Sequence, residues 1–257
     1  MAIFPGPVLA EALNELERAV DALSRQFQRP LYLGEPSRGR FRYVKPNSQV
    51  LQVLKAVRVV SGFHAAIHLA VCGHHQEAAV VLRSVDEALQ DIDVLDEAHH
   101  NPAEATAYQQ RLVDEFFASD DAERVDAMLA GSARPVPRVP RKKKRATIEQ
   151  RLSKVSPGKW IRPGLDTIDA VLDGYVHCGY SQIMELYSAS PYWEGFHMQG
   201  LQDPGRLAMM AAWVPRFVYH ALNAVARLLR DAKLSADAER LVALRDRLET
   251  SPEYGRG

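Results

Sequence analysis

Apolar residues recur along most of this chain at three- and four-residue steps, and the prolines and glycines cluster between those runs rather than within them. That period places side chains on one face of a helix and does not suit strands, whose faces repeat every second residue. Leu9, Leu13, Leu16, Val20 and Leu23 form the first such stripe, bounded by Pro5, Pro7 and Pro30, so a helix is expected from about Val8 to Gln28. A second is expected to start at Asn47 or Ser48, with either as its cap, and to run to about Gly73. Turning about 100° per residue puts Val50, Leu54, Val57, Ser61, His64, His68, Val71 and Cys72 in one stripe, read as its apolar side. A third follows the break at residues 73–75, with Val81, Val85, Ala88, Leu89, Ile92 and Leu95 as core and Arg83, Glu87 and Asp91 opposite.

Further helices are expected from Pro102 to about Ala118, from Asp121 to Ala130 and from Thr147 to Val155. Gly164 to Tyr187 follows with a kink at Gly179, then Arg206 to Ala232 with a bend at Pro215, and Ser235 to Glu249. The segment 29–46, where Arg38, Arg40 and Arg42 alternate with Gly39 and Phe41, reads as a basic loop with room for a short extended piece. Residues 188–205 read as irregular, with a short hairpin at Phe196 to Gln202. With no alternation of strands and helices, the fold class is all-α: a helical bundle of about eight helices with one long basic, Pro-rich loop. The 257 residues suit one domain or two halves, 1–130 and 147–257, joined by residues 131–146.

Charge divides the chain more sharply than hydrophobicity does. The 32 basic and 32 acidic residues cancel, which excludes a uniformly basic nucleic-acid binder. Yet Arg134 to Lys159 holds ten basic residues and one acid, and Asp86 to Asp126 holds thirteen acids and two arginines. The run Arg141, Lys142, Lys143, Lys144 and Arg145 can bind RNA or other phosphate, lipid headgroups, an acidic protein surface or the chain's own acidic helices, looks like a nuclear-localisation run, or serves only as a solvated loop. Two widely spaced cysteines and an N-terminus without a basic-then-apolar leader point to a cytoplasmic protein. The stretch from Val50 to Cys72 carries Lys55, Arg58 and two histidines, too polar for a membrane span, and reads as a buried helix.

Several groupings have chemical potential. His64, His68 and Cys72 share a helix face and are zinc-type ligands, although no known zinc spacing is completed, and a histidine on an apolar stripe also serves simply as core. Glu97 with His100 and Glu194 with His197 repeat the carboxylate–imidazole spacing of di-iron bundles. Asp169, Asp173 and His177 share an arc in which a carboxylate can orient an imidazole for acid–base work, or merely support the helix. Arg83, Glu87 and Asp91 form either a solvated ladder or, if their helix is covered on both sides, a buried network. Tyr175, His177, Tyr180, Tyr187, Tyr192, Trp193, Phe196 and His197 can stack bases, line a pocket or close the core. Gly-rich phosphate loops, nucleophile elbows and His-Glu-x-x-His helices are absent from the sequence.

The segments Leu-Arg-Ser-Val-Asp-Glu-Ala-Leu (Leu82 to Leu89) and Tyr-Val-His-Cys-Gly-Tyr-Ser-Gln-Ile-Met-Glu-Leu-Tyr (Tyr175 to Tyr187) resemble uncharacterised bacterial all-α proteins. Their helical layout is similar to that of the HEPN superfamily of toxin and defence proteins. The resemblance implies a stress or defence role with RNA as partner. HEPN ribonucleases carry Arg, a polar residue, a short spacer and His; Arg58 and His64 match that spacing, with Val59 at the polar position. As a ribonuclease the chain would use His64 or His177 as acid–base and Arg58 or Arg83 to stabilise the phosphorane. The alternatives are a non-catalytic relative, an interaction module or homodimer, and a metal-binding enzyme; no cofactor other than zinc is implied.

Overall fold

The computed structural model describes residues 4–33, 40–43, 47–100, 102–118, 144, 146, 170–177, 180–190 and 193–254. In chain order these form α1 (Pro7–Ser24), β1 (Leu31–Leu33), β2 (Arg40–Arg42), α2 (Ser48–Val71), α3 (His75–His100) and α4 (Pro102–Ala118). They continue with α5 (Tyr180–Met184), β3 (Tyr187–Ser190), β4 (Trp193–Phe196), α6 (Pro204–Asp231) and α7 (Ser235–Thr250). Residues 170–176 are also helical. The fold is all-α, with two small antiparallel hairpins, β1–β2 and β3–β4.

Two compact units emerge, one from Met1–Val20, Ala56–Leu89 and Lys159–Gly257, the other from Asp21–Lys55 and Gln90–Gly158. Helices α2 and α3, of 24 and 26 residues, each contribute to both units.

In the first unit the buried side chains include Leu9 and Leu16 of α1, Phe63 of α2, Leu82 of α3, Leu172, and Leu222 of α6. Each contributes about 1.5–3 kcal/mol through burial. Gly62 allows α3 to lie close along α2, because a Cβ there would collide with the Val85 side chain. The turn joining them depends on Gly73, at φ +88°, whose carbonyl accepts from the Leu201 amide at 3.0 Å. The N-terminus of α1 has no side-chain cap of its own; Glu253 supplies one, accepting from the Val8 and Leu9 amides at 3.0 Å each. Asp203 caps α6, with Pro204 in the first turn, so α6 starts two residues before the expected Arg206 and runs through Pro215. The core of the second unit joins Leu51, Val94, Leu95, Leu112 and Val113, flanked by Phe116 and Phe117.

The expected apolar stripe of α2 is on the wrong face. Val57, Ser61, His64, His68, Val71 and Cys72 are exposed, while Val59, Val60, Phe63, Ala66, Ile67 and Ala70 are buried. This helix is apolar on nearly every side, so its periodicity carries no phase, and the close approach at Gly62 selects the buried side instead. The expected helix to Tyr187 is also corrected: helix ends at Met184 and β3 begins at Tyr187. The hairpin expected at Phe196 to Gln202 lies nine residues earlier, closed by a Tyr187–Phe196 ring pair 5.2 Å apart. Lys144 and Ala146 are helical, though the expected loop included both. The helix expected at residues 121–130, the rest of the loop at 131–146 and the helix expected at 147–155 lie outside the described residues.

Candidate functional site

In the first unit Arg83 gathers three carboxylates around it. Its side chain is 7% exposed; Nε donates to Asp173 Oδ1 at 2.8 Å, Nη2 lies 3.0 Å from Glu87 Oε1, and Nη1 lies 3.5 Å from Asp86 Oδ2. Of the expected ladder, Arg83 is buried and Glu87 stays 56% exposed, while Asp91 pairs with Lys55 and Lys144 instead. The turn bearing Asp173 carries His177 on its next step, with the His177 amide bonded to the Asp173 carbonyl at 2.9 Å and its side chain exposed.

The other proposed catalytic residues diverge from this cluster. Arg58 donates to Ser84 Oγ from Nε at 3.2 Å and from Nη2 at 3.0 Å, fastening α2 to α3. His64 lies 3.6 Å from Glu17 of α1. The HEPN-like pair thus points to two different neighbours, because six residues of helix turn its ends well apart. For metal binding, His68 Nε2 lies 3.9 Å from Cys72 Sγ, with His64 turned to Glu17. Among the described residues no group of three or more His, Cys, Asp or Glu side chains is placed to hold a metal ion. The side chains of Glu97, His100 and Glu194, together with Asp169 and Tyr192, lie outside the described residues.

A second polar cluster went unnoticed in the sequence because its members are far apart. Tyr175, on residues 170–176, donates to Glu185 at 3.0 Å; Arg206 of α6 pairs with the same carboxylate and, through Nε, with Asp203 at 3.2 Å. Burial, and then the hydrogen bond to Glu185, push the Tyr175 hydroxyl up to about 12, so it is a proton donor throughout the physiological range. Burial also pushes Asp203 upward, but hydrogen bonds from the Arg206 and Gly205 amides and the Arg206 side chain outweigh it and hold the carboxyl below its ordinary value. His75, at the start of α3, is buried with no hydrogen bond of normal geometry at either ring nitrogen. Burial, then the Arg206 guanidinium, hold its pKa below the usual imidazole value against opposing pulls from the Leu201 backbone and Asp203. Asp203 before Pro204 was the one local signal of this cluster, as an N-cap.

In the second unit, Asp91 of α3 is 8% exposed and receives Lys55 at 2.7 Å together with Lys144. Lys55 also lies 5.0 Å from the centre of the Phe116 ring. One member of the basic run therefore pairs with an acid of α3 in its own unit. Arg141, Lys142, Lys143 and Arg145 lie outside the described residues.

By length and composition α2 is able to cross a membrane, more apolar than its lysine, arginine and histidines suggest, and 61% of its most apolar window is buried inside the protein. Comparison with known proteins returns no matching family model, curated protein or solved structure.

Proposed function

We propose that this chain is a non-catalytic interaction protein that pairs with a second copy of itself through the exposed face of α2. The observation that carries this reading is the composition of that face. Val57 and Val71 are 45% and 46% exposed, with Ser61, His64 and His68 between them, and Val59 to Gly73 contains no Asp, Glu, Lys or Arg. Solvent-facing helix sides ordinarily carry charge, and loss of charge marks the centre of protein interfaces. Positions 57, 61, 64, 68 and 71 alternate steps of four and three, the spacing by which two helices interlock, and such a stripe is complementary to itself about a two-fold axis. It is about 21 Å long, so the association expected is weak, in the micromolar range. Sedimentation velocity checks this: a concentration-dependent dimer that Val57→Glu with Val71→Glu dissociates, without loss of helical circular dichroism. A monomer at every concentration up to roughly 200 µM refutes it.

A second reading, RNA cleavage as in the HEPN-like resemblance, is favoured by the meeting of Arg83 with the turn that carries Asp173 and His177. His177 would then be the acid–base group and Arg83 would position Asp173. Loss of RNA cleavage in His177→Ala, with retained fold, supports that reading; intact RNA in the presence of the native protein removes it.

A further inference from the structure

The geometry points to a half-site for zinc on the exposed face of α2, completed when a second copy of the chain lays the same face beside it. His68 and Cys72 are both exposed, and His68 Nε2 lies 3.9 Å from Cys72 Sγ. Arms of about 2.3 Å to sulfur and about 2.05 Å to nitrogen, at tetrahedral angles, set two ligands of one zinc ion about 3.6 Å apart. The pair therefore already stands near the spacing that a shared ion requires. His64, one turn earlier, is turned to Glu17 and adds no third ligand. A thiolate and an imidazole are two of the four ligands of a closed zinc site, and a two-fold axis doubles two to four.

Charge and rigidity favour completion by a second copy over a single chain holding an ion with water. A zinc ion on one thiolate keeps a positive charge, whereas the same ion on two thiolates is neutral. Neutrality suits a face whose sequence from Val59 to Gly73 has no Asp, Glu, Lys or Arg. The end of α2 that bears the ligands is fastened from outside: the Gln202 side chain donates to the Val71 carbonyl at 3.1 Å, and the Leu201 amide to the Gly73 carbonyl at 3.0 Å. Ligands on a held backbone lose little freedom when the ion arrives. The site rests on the α2 pairing proposed above and adds its direction. In a parallel pair each His68 and Cys72 meets its own counterpart. An antiparallel pair centred on the stripe sets them against Val57 and Ser61, which offer neither imidazole nor thiolate.

Sedimentation velocity of the full chain under reducing conditions, without metal and with zinc, tests it together with a cobalt titration. At zinc about 100 times its dissociation constant, the dimer dissociation constant should fall about 100-fold. Cobalt should bind at one ion per two chains, with the near-ultraviolet thiolate-to-cobalt band and the strong visible bands of a tetrahedral ion. His68→Ala and Cys72→Ser should each abolish both effects, and unchanged helical circular dichroism shows that the fold is kept. A monomer that zinc converts to a dimer, sensitive to both substitutions, upholds the site while removing the metal-free pairing. A dimer that forms without metal and ignores zinc overturns this inference and leaves the α2 pairing standing; a monomer in both conditions removes both. Cobalt bound at one ion per chain, or a thiolate band that survives Cys72→Ser, also overturns it.

Discussion

Replacing Glu253 tests whether the first helix is closed by the last turn of the chain. Its carboxylate accepts from two amides of the first turn of α1, Val8 and Leu9, each at 3.0 Å and partly buried. An N-cap bond is worth about 0.5–2 kcal/mol, and a negative charge at a helix N-terminus adds about 0.3–1 kcal/mol. Glu253→Ala removes both, so a loss of about 2 kcal/mol is expected in urea unfolding followed by helical circular dichroism. For a chain of this size that corresponds to a fall in Tm of about 4–8 °C. Glu253→Gln retains an acceptor without charge and should lose about half as much. Gly6→Ala supplies an independent route to the same bonds, because a Cβ at Gly6 would collide with the Glu253 carboxylate. The double variant should then be no less stable than Glu253→Ala alone, the non-additivity of two changes to one interaction. The exposed Arg247–Glu11 pair at 2.8 Å joins the same two ends, and Arg247→Ala should have little effect on stability, since solvent screens the pair. A Glu253→Ala protein within about 0.5 kcal/mol of native would refute the capping argument.

His75 is expected to make stability depend on pH: because its folded pKa is depressed, the unfolded chain binds the extra proton below about pH 6.5. Stability is then complete above that value and falls as pH decreases, by at most about 1.4 kcal/mol per pH unit, a slope that His75→Gln should abolish in urea unfolding repeated across pH 5–7. Tyr175→Phe should cost about 1.5–3 kcal/mol in the same unfolding assay. With the hydroxyl pushed up to about 12, that loss should be constant from about pH 6 to 10, and a loss that varies there would contradict the assignment. Gly62→Ala should be destabilising, since overpacking against Val85 costs about 1–3 kcal/mol and exceeds the helix-propensity gain of about 1 kcal/mol. In a Val85→Ala background the same change should become neutral or favourable, as thermal unfolding of the four proteins will show.

The helices that could be read from the sequence are those whose ends carry local chemistry. Asn47 was expected at the start of α2 and its Oδ1 accepts from the Val50 amide at 2.9 Å; Pro102 opens α4 as expected. Elsewhere the ends are set from a distance. Glu253 lies more than two hundred residues from the amides it caps, a relation that no local period encodes. The candidate sites divide in the same way. Arg83 and Glu87 are one helical turn apart and were visible as a ladder, but Asp173, ninety residues away, supplies the closest contact. Tyr175, Glu185 and Arg206 could not be grouped in advance, because tyrosine, glutamate and arginine at such separations are unremarkable until the chain folds.

From the sequence alone follow the all-α class, most helix positions and the opposition of an acidic α3 to a basic segment. Each is a local property, written in residue spacing, capping chemistry or net charge. Tertiary structure alone decided which side of α2 is covered, that Lys144 of the basic run is turned inward onto Asp91, and that Arg83 is held among three carboxylates. An apolar helix can bury any face, and a charge can pair with any opposite charge that reaches it. Which face and which partner depend on contacts between distant segments, Gly62 against Val85 among them, and those exist only in the folded chain.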